Sequence, residues 1–304
     1  MPIVVIGSSN VDLIMKMARL PRVGETVTDA EFVQVYGGKG ANQAVGAARA
    51  GGEVAFVNCV GDDAYTAQMV RNFEADGIDT RYVFHETGIA SGHALVMIGE
   101  AGANYLSVAP GSNYRLTPDR VDAARELVAG ASAVVLQNEI PLESNARALA
   151  LAAEASVPVL WNVAPAVDVP PELFRVPTLT LVANETEAEF LTGRPVADRA
   201  GAEAALADLL ALGCGRAVVT LGARGSLARE RGGPTVVVDA FDVEAVDTTA
   251  AGDVYCGGLA VALGEGMPLP AALRFASAAA ALSVQTLGAQ PSAPRREAID
   301  ALLA

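Results

Sequence analysis

The sequence predicts an α/β fold: a doubly wound, mostly parallel sheet flanked by helices, with a small separate β-sheet as a lid. Two observations predict the body. Short β-rich runs alternate with longer helical patterns from residue 53 to residue 221, which is the mark of βαβ units in a parallel sheet. Polar or glycine-rich residues follow the ends of several of those strands, where ligands bind in such sheets. The lid follows from runs near 81–85, 91–99 and 103–108, which have no helix between them and join the runs 11–17 and 26–36. These are candidates for one small sheet, placed within about 11–36 and 91–109. No internal repeat, low-complexity tract or composition shift marks a linker, so residues 1–304 read as one domain.

Taken in order, Ile3 to Ile6 is a first strand ending at Gly7 and followed by Ser8, Ser9, Asn10 and Asp12. The turn Y-G-G-K-G then opens a helix from about Ala41 to Ala50. Lys39 is followed by Gly40 rather than Ser or Thr, so the turn is no P-loop, and no G-x-G-x-x-G follows the first strand, which disfavours a nicotinamide dehydrogenase. Lys39 and Asn42 are candidate donors to a ligand; a tight turn with a solvated lysine is the alternative. Strand 53–60 and helix 64–76 come next. Helix 117–129 starts at Thr117-Pro118, a cap and first-turn pair. Strand 132–136 runs into Q-N-E-I-P, placing Glu139 just past a buried strand. Helix 143–155, strands 157–161 and 178–182, helices 185–191 and 199–212, and strand 216–221 continue the alternation. A glycine turn at 222–225 makes a hairpin with 226–229. Glu185 and Glu187 open a helix after Asn184, where they either meet a ligand or offset the helix dipole. Residues 269–287 read as a long helix, and P-S-A-P opens a final short one.

The stretch 245–258, A-V-D-T-T-A-A-G-D-V-Y-C-G-G, carries the strongest chemical signal. If the apolar run after it is a helix, Ala250, Ala251, Gly252 and Asp253 form its first turn, whose N–H groups lack partners inside the helix. Side chains this small let a phosphate approach those donors and the positive end of the dipole. Asp253 beside that hole is a candidate base for an attacking hydroxyl. An aspartate that only stabilises the helix start is the alternative.

Composition narrows the partners. The 35 acidic residues against 21 basic give a net charge of −14, which argues against nucleic acid or an anionic membrane as the main partner. Three scattered cysteines, Cys59, Cys214 and Cys256, do not form a disulfide framework and suit a reducing cytosol. No run reaches the roughly 20 apolar residues of a membrane span, and the start M-P-I-V-V-I-G reads as a strand rather than a signal peptide. A cytoplasmic protein is expected.

With G-S-S-N-V-D near the start, G-G-K-G-A-N-Q-A at 37–44, N-E-T-E-A-E at 184–189, T-L-G-A-R-G at 220–225, D-T-T-A-A-G-D at 247–253 and G-A-Q-P-S at 288–292, the chain resembles the ribokinase branch of the PfkB carbohydrate kinases. The resemblance implies ATP-dependent phosphorylation of a sugar's primary hydroxyl, D-ribose above all, with Mg²⁺ required and K⁺ activating. It implies Asp253 as base, with Ala250, Ala251 and Gly252 as anion hole, and sugar contacts from Asn10, Val11, Asp12, Gly38, Lys39, Gly40, Ala41, Asn42, Glu139 and Asp253. The nucleotide would meet Asn184, Thr220, Leu221, Gly222, Ala223, Arg224, Gly225, Gly252, Asp253 and Ser277. Mg²⁺ would be held by Glu187, mostly through water, and K⁺ by Asp247, Thr249, Ser283, Thr286, Gly288 and Ser292, partly through backbone carbonyls. The sequence departs from the family pattern at Tyr255, Cys256, Ser277 and Gly102-Ala103-Asn104. The resemblance also implies a homodimer joined lid to lid, in line with the many apolar lid residues. Rival readings are a kinase for deoxyribose, fructose or a nucleoside, and a sugar-binding protein without catalysis. The intact A-A-G-D turn opposes the last. Asn10 favours a sugar with all its hydroxyls, since an amide left unpaired costs about 1–3 kcal/mol.

Overall fold

Near-continuous apolar runs such as Ile3–Ile6 and Ala133–Leu136 form strands buried along their whole length, as required where helices cover a parallel sheet on both sides. A computed structural model describes residues 1–99 and 104–304. Its strands are β1 (Ile3–Ile6), β2 (Asn10–Met17), β3 (Glu31–Gly37), β4 (Val54–Val60), β5 (Asp79–His85), β6 (Gly92–Gly99), β7 (Asn104–Ala109), β8 (Ala133–Leu136), β9 (Val159–Asn162), β10 (Leu179–Asn184), β11 (Arg216–Thr220), β12 (Ser226–Glu230) and β13 (Thr235–Val238). The helices are α1 (Lys39–Arg49), α2 (Thr66–Ala75), α3 (Pro118–Ala123), α4 (Arg125–Ala129), α5 (Leu142–Glu154), α6 (Glu185–Thr192), α7 (Arg199–Ala211), α8 (Ala251–Gly264), α9 (Leu269–Ser283) and α10 (Arg296–Leu303).

Nine strands form the main sheet in the order β13-β12-β11-β10-β9-β8-β1-β4-β5, parallel except for β12 and β13. The chain winds outward from β1 in one direction and from β8 in the other, so the topological switch point lies between these two strands. Side chains alternate between two cores. Val4, Ile6, Val134 and Leu136 face the layer of α3 to α7, while Ile3, Val5 and Val135 face α1, α2, α8, α9 and α10. No helix among the described residues is long and apolar enough to cross a membrane.

The second sheet has the order β3-β2-β6-β7 and sits over the switch point. Its register places Asp12 opposite Val35 and Ala94, and Ile14 opposite Val33 and Val96. These residues, with Ile98, Leu106 and Val108, line a cleft below the lid. Alternation turns Phe32, Leu95, Met97 and Tyr105 to the other face. The apolar residues of the lid are therefore divided between both faces.

Several boundaries differ from expectation. The run 81–85 is no lid strand: α2 returns the chain to the body, and β5 pairs in parallel with β4 at the edge of the main sheet. Residues 26–30 are loop, and β3 starts at Glu31. Of the run 103–108, Ala103 lies outside the described residues, as does Gly102, and β7 starts at Asn104. The helix 117–129 is split at Ala124, and the Thr117 side chain makes no capping bond. The helix expected to reach 287 ends at Ser283, because the Val284 carbonyl accepts the N–H groups of Val246 and Asp247 instead of continuing the helical ladder. Strand β13 adds an edge that the hairpin reading did not include.

Helices α1 and α8 cross closely because Gly257 has no side chain. A Cβ there would lie 2.7 Å from the Ala47 amide nitrogen and 2.8 Å from the Gln43 carbonyl oxygen, closer than van der Waals contact allows. That approach brings Asn42 and Gln43 on α1 to Asp253 on α8. Gly257→Ala should therefore separate the helices, costing about 1–3 kcal/mol in urea unfolding. An unchanged unfolding free energy would show that the crossing tolerates a side chain there.

Candidate active site

The carboxyl ends of β1 and β8 meet at the switch point, where open α/β sheets bind ligands. Between them and the lid lies a cleft of ≈ 1000 Å³ lined by Asn10, Asp12, Gly38, Lys39, Asn42, Glu139 and Asp253 among others. Gly38 has φ +89°, a conformation that side chains rarely adopt, and it delivers Lys39 straight into the first turn of α1. Glu139 is fixed from two sides: Ser8 Oγ donates to its Oε2 at 2.5 Å and the Lys39 N–H at 2.9 Å. Asn10 Oδ1 accepts from Asn113 Nδ2 at 2.8 Å, so its acceptor is occupied by the protein.

Asp253 is buried in the first turn of α8. Its Oδ2 accepts from Asn42 Nδ2 at 3.0 Å and its Oδ1 from Gln43 Nε2 at 3.1 Å. Burial pushes its carboxyl upward, opposed by the Lys39 ammonium and the two amides. Asp253 in turn holds the Lys39 ammonium above its ordinary value. Asn42 Oδ1 is buried and accepts nothing among the described residues. A buried acceptor without a donor is costly, and a ligand hydroxyl in the cleft would satisfy it. Burial and the nearby Glu139 raise Asp12 to about 6, with His93 opposing.

On the far side of the α8 N-terminus is a slot of ≈ 370 Å³ lined by Asn184, Thr220, Gly222, Ala223, Gly225, Gly252 and Ser277, with Phe241, Val243, Ala280 and Val284 as apolar walls. The structure thus brings Ser277 to the slot. A smaller cavity of ≈ 180 Å³, bordered by Lys39, Asn184, Glu187, Thr220, Cys256 and residues 250–253, touches residues of both. Ala250 caps α8 with φ 60°, a left-handed conformation costing about 1–2 kcal/mol in a non-glycine residue. This places the N–H groups of the helix start at the junction.

Glu187 and Asn184 form a capping box, with Glu187 Oε2 accepting the Asn184 N–H at 2.9 Å and Asn184 Oδ1 accepting the Glu187 N–H at 2.8 Å. The carboxylate is buried, which raises it, and one oxygen stays available beside the junction. That donor suits a hydrated divalent cation. Among the described residues no cluster of three or more acidic, histidine or cysteine groups is arranged to hold a metal. Asp247 ties two distant segments together: Oδ1 accepts from the Thr249 N–H and hydroxyl, and Oδ2 from the Gly288 N–H at 2.9 Å. Although partly buried, it is held below its ordinary value by those bonds. The Ser283 and Ser292 hydroxyls donate to the carbonyls of Ala280 and Ala289, and Thr286 is exposed.

Some expected residues do not face the clefts. The Val11 side chain is fully buried in the core. Gly40 and Ala41 are buried in the first turn of α1, where the Ala41 N–H donates to the Ser8 carbonyl. Leu221 is core, and Arg224 points outward to Glu185 and the Ala197 carbonyl. His93 lies on the outer lid face against Tyr65. Tyr255, by contrast, borders the slot, and its hydroxyl donates to Ser226 Oγ at 2.9 Å. Gln43, Asn113 and Asn162 were not singled out. Gln43 had a signal, since it stands four residues after Lys39 in the same helical run; Asn113 and Asn162 had none.

A carboxylate and an anion-attracting helix start, set between a polar cleft and an apolar slot, define a phosphoryl-transfer site for a polyhydroxy acceptor. Comparison with known proteins agrees. The model of the pfkB family carbohydrate kinases matches residues 2–296. A ribokinase of Bacillus subtilis is 38% identical, the match covering 99% of each chain. A deoxyribokinase of Salmonella typhi is 37% identical over 98% of this chain and 97% of its own. The structure of Arabidopsis thaliana ribokinase complexed with ribose and ATP superposes with a TM-score of 0.94 at 35% identity, covering 99% of this chain and 98% of that one. The chain belongs to the pfkB family of carbohydrate kinases.

The raised Asp12 carboxyl has a testable cost. Its folded value of about 6 exceeds the unfolded 3.8, so the native state holds more protons between them. Stability is lost as pH rises through that window. Asp12→Asn should therefore raise stability at pH 8 by about 1–2 kcal/mol, with little gain at pH 4, while weakening sugar binding. Thermal melts at both pH values check this; an equal gain at both would refute it.

Proposed function

We propose that this chain transfers the γ-phosphoryl group of ATP to the 5-hydroxyl of D-ribose, giving ADP and D-ribose 5-phosphate. The observation that carries this reading is the position of Asp253 where the polar cleft meets the nucleotide slot. Asn10, Asp12, Asn42 and Glu139 hold the sugar hydroxyls, the side chain of Asn10 donating, since Asn113 occupies its acceptor. Asp253 accepts the proton of the attacking hydroxyl as the new P–O bond forms. The N–H groups at the α8 start, with Lys39, hold the negative charge on the transferred group, where stabilisation matters more than covalent help. Thr220 to Gly225, Asn184 and Ser277 border the nucleotide.

Glu187 would hold Mg²⁺ through water, which when bound neutralises phosphate charge. Asp247, Thr249, Ser283, Thr286, Gly288 and Ser292 would enclose K⁺ beside the anion hole, ordering the loop before α8. The buried free cysteines suit a cytoplasmic setting.

A coupled ADP-release assay tests the reading. Ribose should exceed 2-deoxyribose, fructose and adenosine at least about tenfold in kcat/KM, the scale of an unpaired buried polar group. Asp253→Asn should lose about 10²–10⁴ in turnover while still binding sugar. Tetramethylammonium in place of K⁺ should slow the wild type. Faster turnover of another acceptor, or Asp253→Asn within tenfold of wild type, would overturn the assignment, and equal rates in both salts would remove the K⁺ site.

A homodimer through the lid completes the proposal. Tyr105 is 60% exposed, Leu106 64% and Val108 47% on edge strand β7, and Phe32 and Leu95 are also exposed. Closed two-fold pairing would cover these residues and the sheet edges together. Light scattering should give about twice the 31.0 kDa chain mass, and Leu95→Glu, on the outer lid face, should split the dimer and weaken sugar binding. A fully active wild-type monomer would refute it.

A further inference from the structure

On the side of Asp253 away from the cleft, two side-chain amides are aligned toward it and a third braces the backbone behind them. Asn145 Nδ2 donates to the Gln137 main-chain carbonyl at 2.7 Å, Gln137 Nε2 donates to Gln43 Oε1 at 2.8 Å, and Gln43 Nε2 donates to Asp253 Oδ1 at 3.1 Å. The same Gln43 nitrogen lies 3.3 Å from Asn162 Oδ1. Gln43, Gln137 and Asn145 are fully buried, and none of the three lines the sugar cleft. A carboxylate only accepts, so Gln43 must turn its NH₂ group toward Asp253 and its carbonyl oxygen toward a donor. Gln137 is that donor.

The network is unbalanced in a telling direction. Gln137 Oε1 and Asn145 Oδ1 are buried and accept nothing among the described residues, whereas the amide nitrogens of all three residues donate. Each orphaned acceptor costs more than a hydrogen bond contributes on balance. A purely structural network would pair both kinds of atom. This one leaves those acceptors empty and keeps the Gln137 and Gln43 donors aimed toward Asp253.

We infer that Gln43, oriented by Gln137, is a positioning residue for Asp253: it engages Oδ1 from behind and leaves Oδ2, beside Asn42 at the cleft, as the oxygen that takes the hydroxyl proton. Without it the carboxylate can rotate and loses a donor that favours its charged form. The charged and titratable groups that also act on Asp253 are Lys39, Glu139, Glu187 and the Cys256 thiol. They are untouched by changes at Gln43. The inference rests on Asp253 as the base of the proposed reaction.

The pH dependence of kcat/KM tests it in the intact protein with ribose, ATP and Mg²⁺. Gln43→Leu should move the acid limb up by about one pH unit, the scale of one lost hydrogen bond to a charge. Its alkaline plateau should fall as well, because an ionised carboxylate that can rotate is less often aligned, while ribose KM should stay within about threefold of wild type, since Gln43 does not line the cleft. Gln43→Glu, which keeps the volume but sets a second carboxylate beside Asp253, should move the limb further. Gln137→Leu should move it less and in the same direction, and it serves where a Gln43 variant fails to fold. A limb that stays in place in all three, with any loss uniform across pH, overturns the role of Gln43. Asp253→Asn separates the two claims: if it stays active, the base assignment fails and this inference with it; if it is inactive while the limbs stay fixed, only this inference fails.

Discussion

A buried carboxylate at the start of a helix is the constraint on which the rest of this structure depends. Removing a charge from water costs several kcal/mol even after relaxation, and Asp253 is tolerated because four partners converge on it: Asn42, Gln43, Lys39 and the dipole of α8. Three of these partners come from α1, so α1 must cross α8 closely. That crossing needs Gly257 on one helix and small residues on the other. It also fixes the turn before α1, where Gly38 takes a positive φ so that Lys39 can start the helix within reach of both Asp253 and Glu139.

The same constraint explains how an acidic chain accommodates phosphate. Asp12, Glu139 and Asp253 border the cleft and Glu187 the junction, against Lys16 at the cleft and Lys39 at both. The proposed attraction lies with the backbone N–H groups at the α8 start, which bear partial charge without adding a mobile side chain. Small residues from 250 to 252 keep that surface open, and the apolar walls around Phe241 and Val284 accept a flat ring without charge. Acidic groups face the neutral, hydroxyl-rich partner, where acceptors are needed.

Much of the body was legible because its signals are local. Strand and helix alternation, the turn before α1 and the small-residue start of α8 depend on neighbouring residues, and the structure has them within a few positions. What failed depended on distant contacts. Nothing in 79–85 tells a lid strand from an edge strand; the pairing with β4 decides it. The end of α9 is set by a carbonyl captured by Val246 and Asp247, nearly forty residues earlier in the chain. In the site, motif residues on strand ends and helix starts were found, but a motif does not state which way a side chain points. Val11 alternates with Asn10 and Asp12 and so faces the core. Gln43 was hidden for the opposite reason: a glutamine on a buried helix face shows its use only when its partner on α8 is known.

The lid is spliced into the body at two points. Residues 10–37 interrupt what would otherwise be a plain β1-α1-β4 crossover, and the β6 and β7 segment interrupts the path from β5 to the helices before β8. Each insertion leaves and re-enters the body close to the row where Asn10 pairs with Gly37 and Gly92. The cover over the acceptor is thus separable, in evolutionary terms, from the machinery beneath it. Strands can be gained, lost or exchanged at the far end of the lid without moving α1 or α8. The far end of the lid can therefore change the volume it encloses while Asp253, held between α1 and α8, stays where it is.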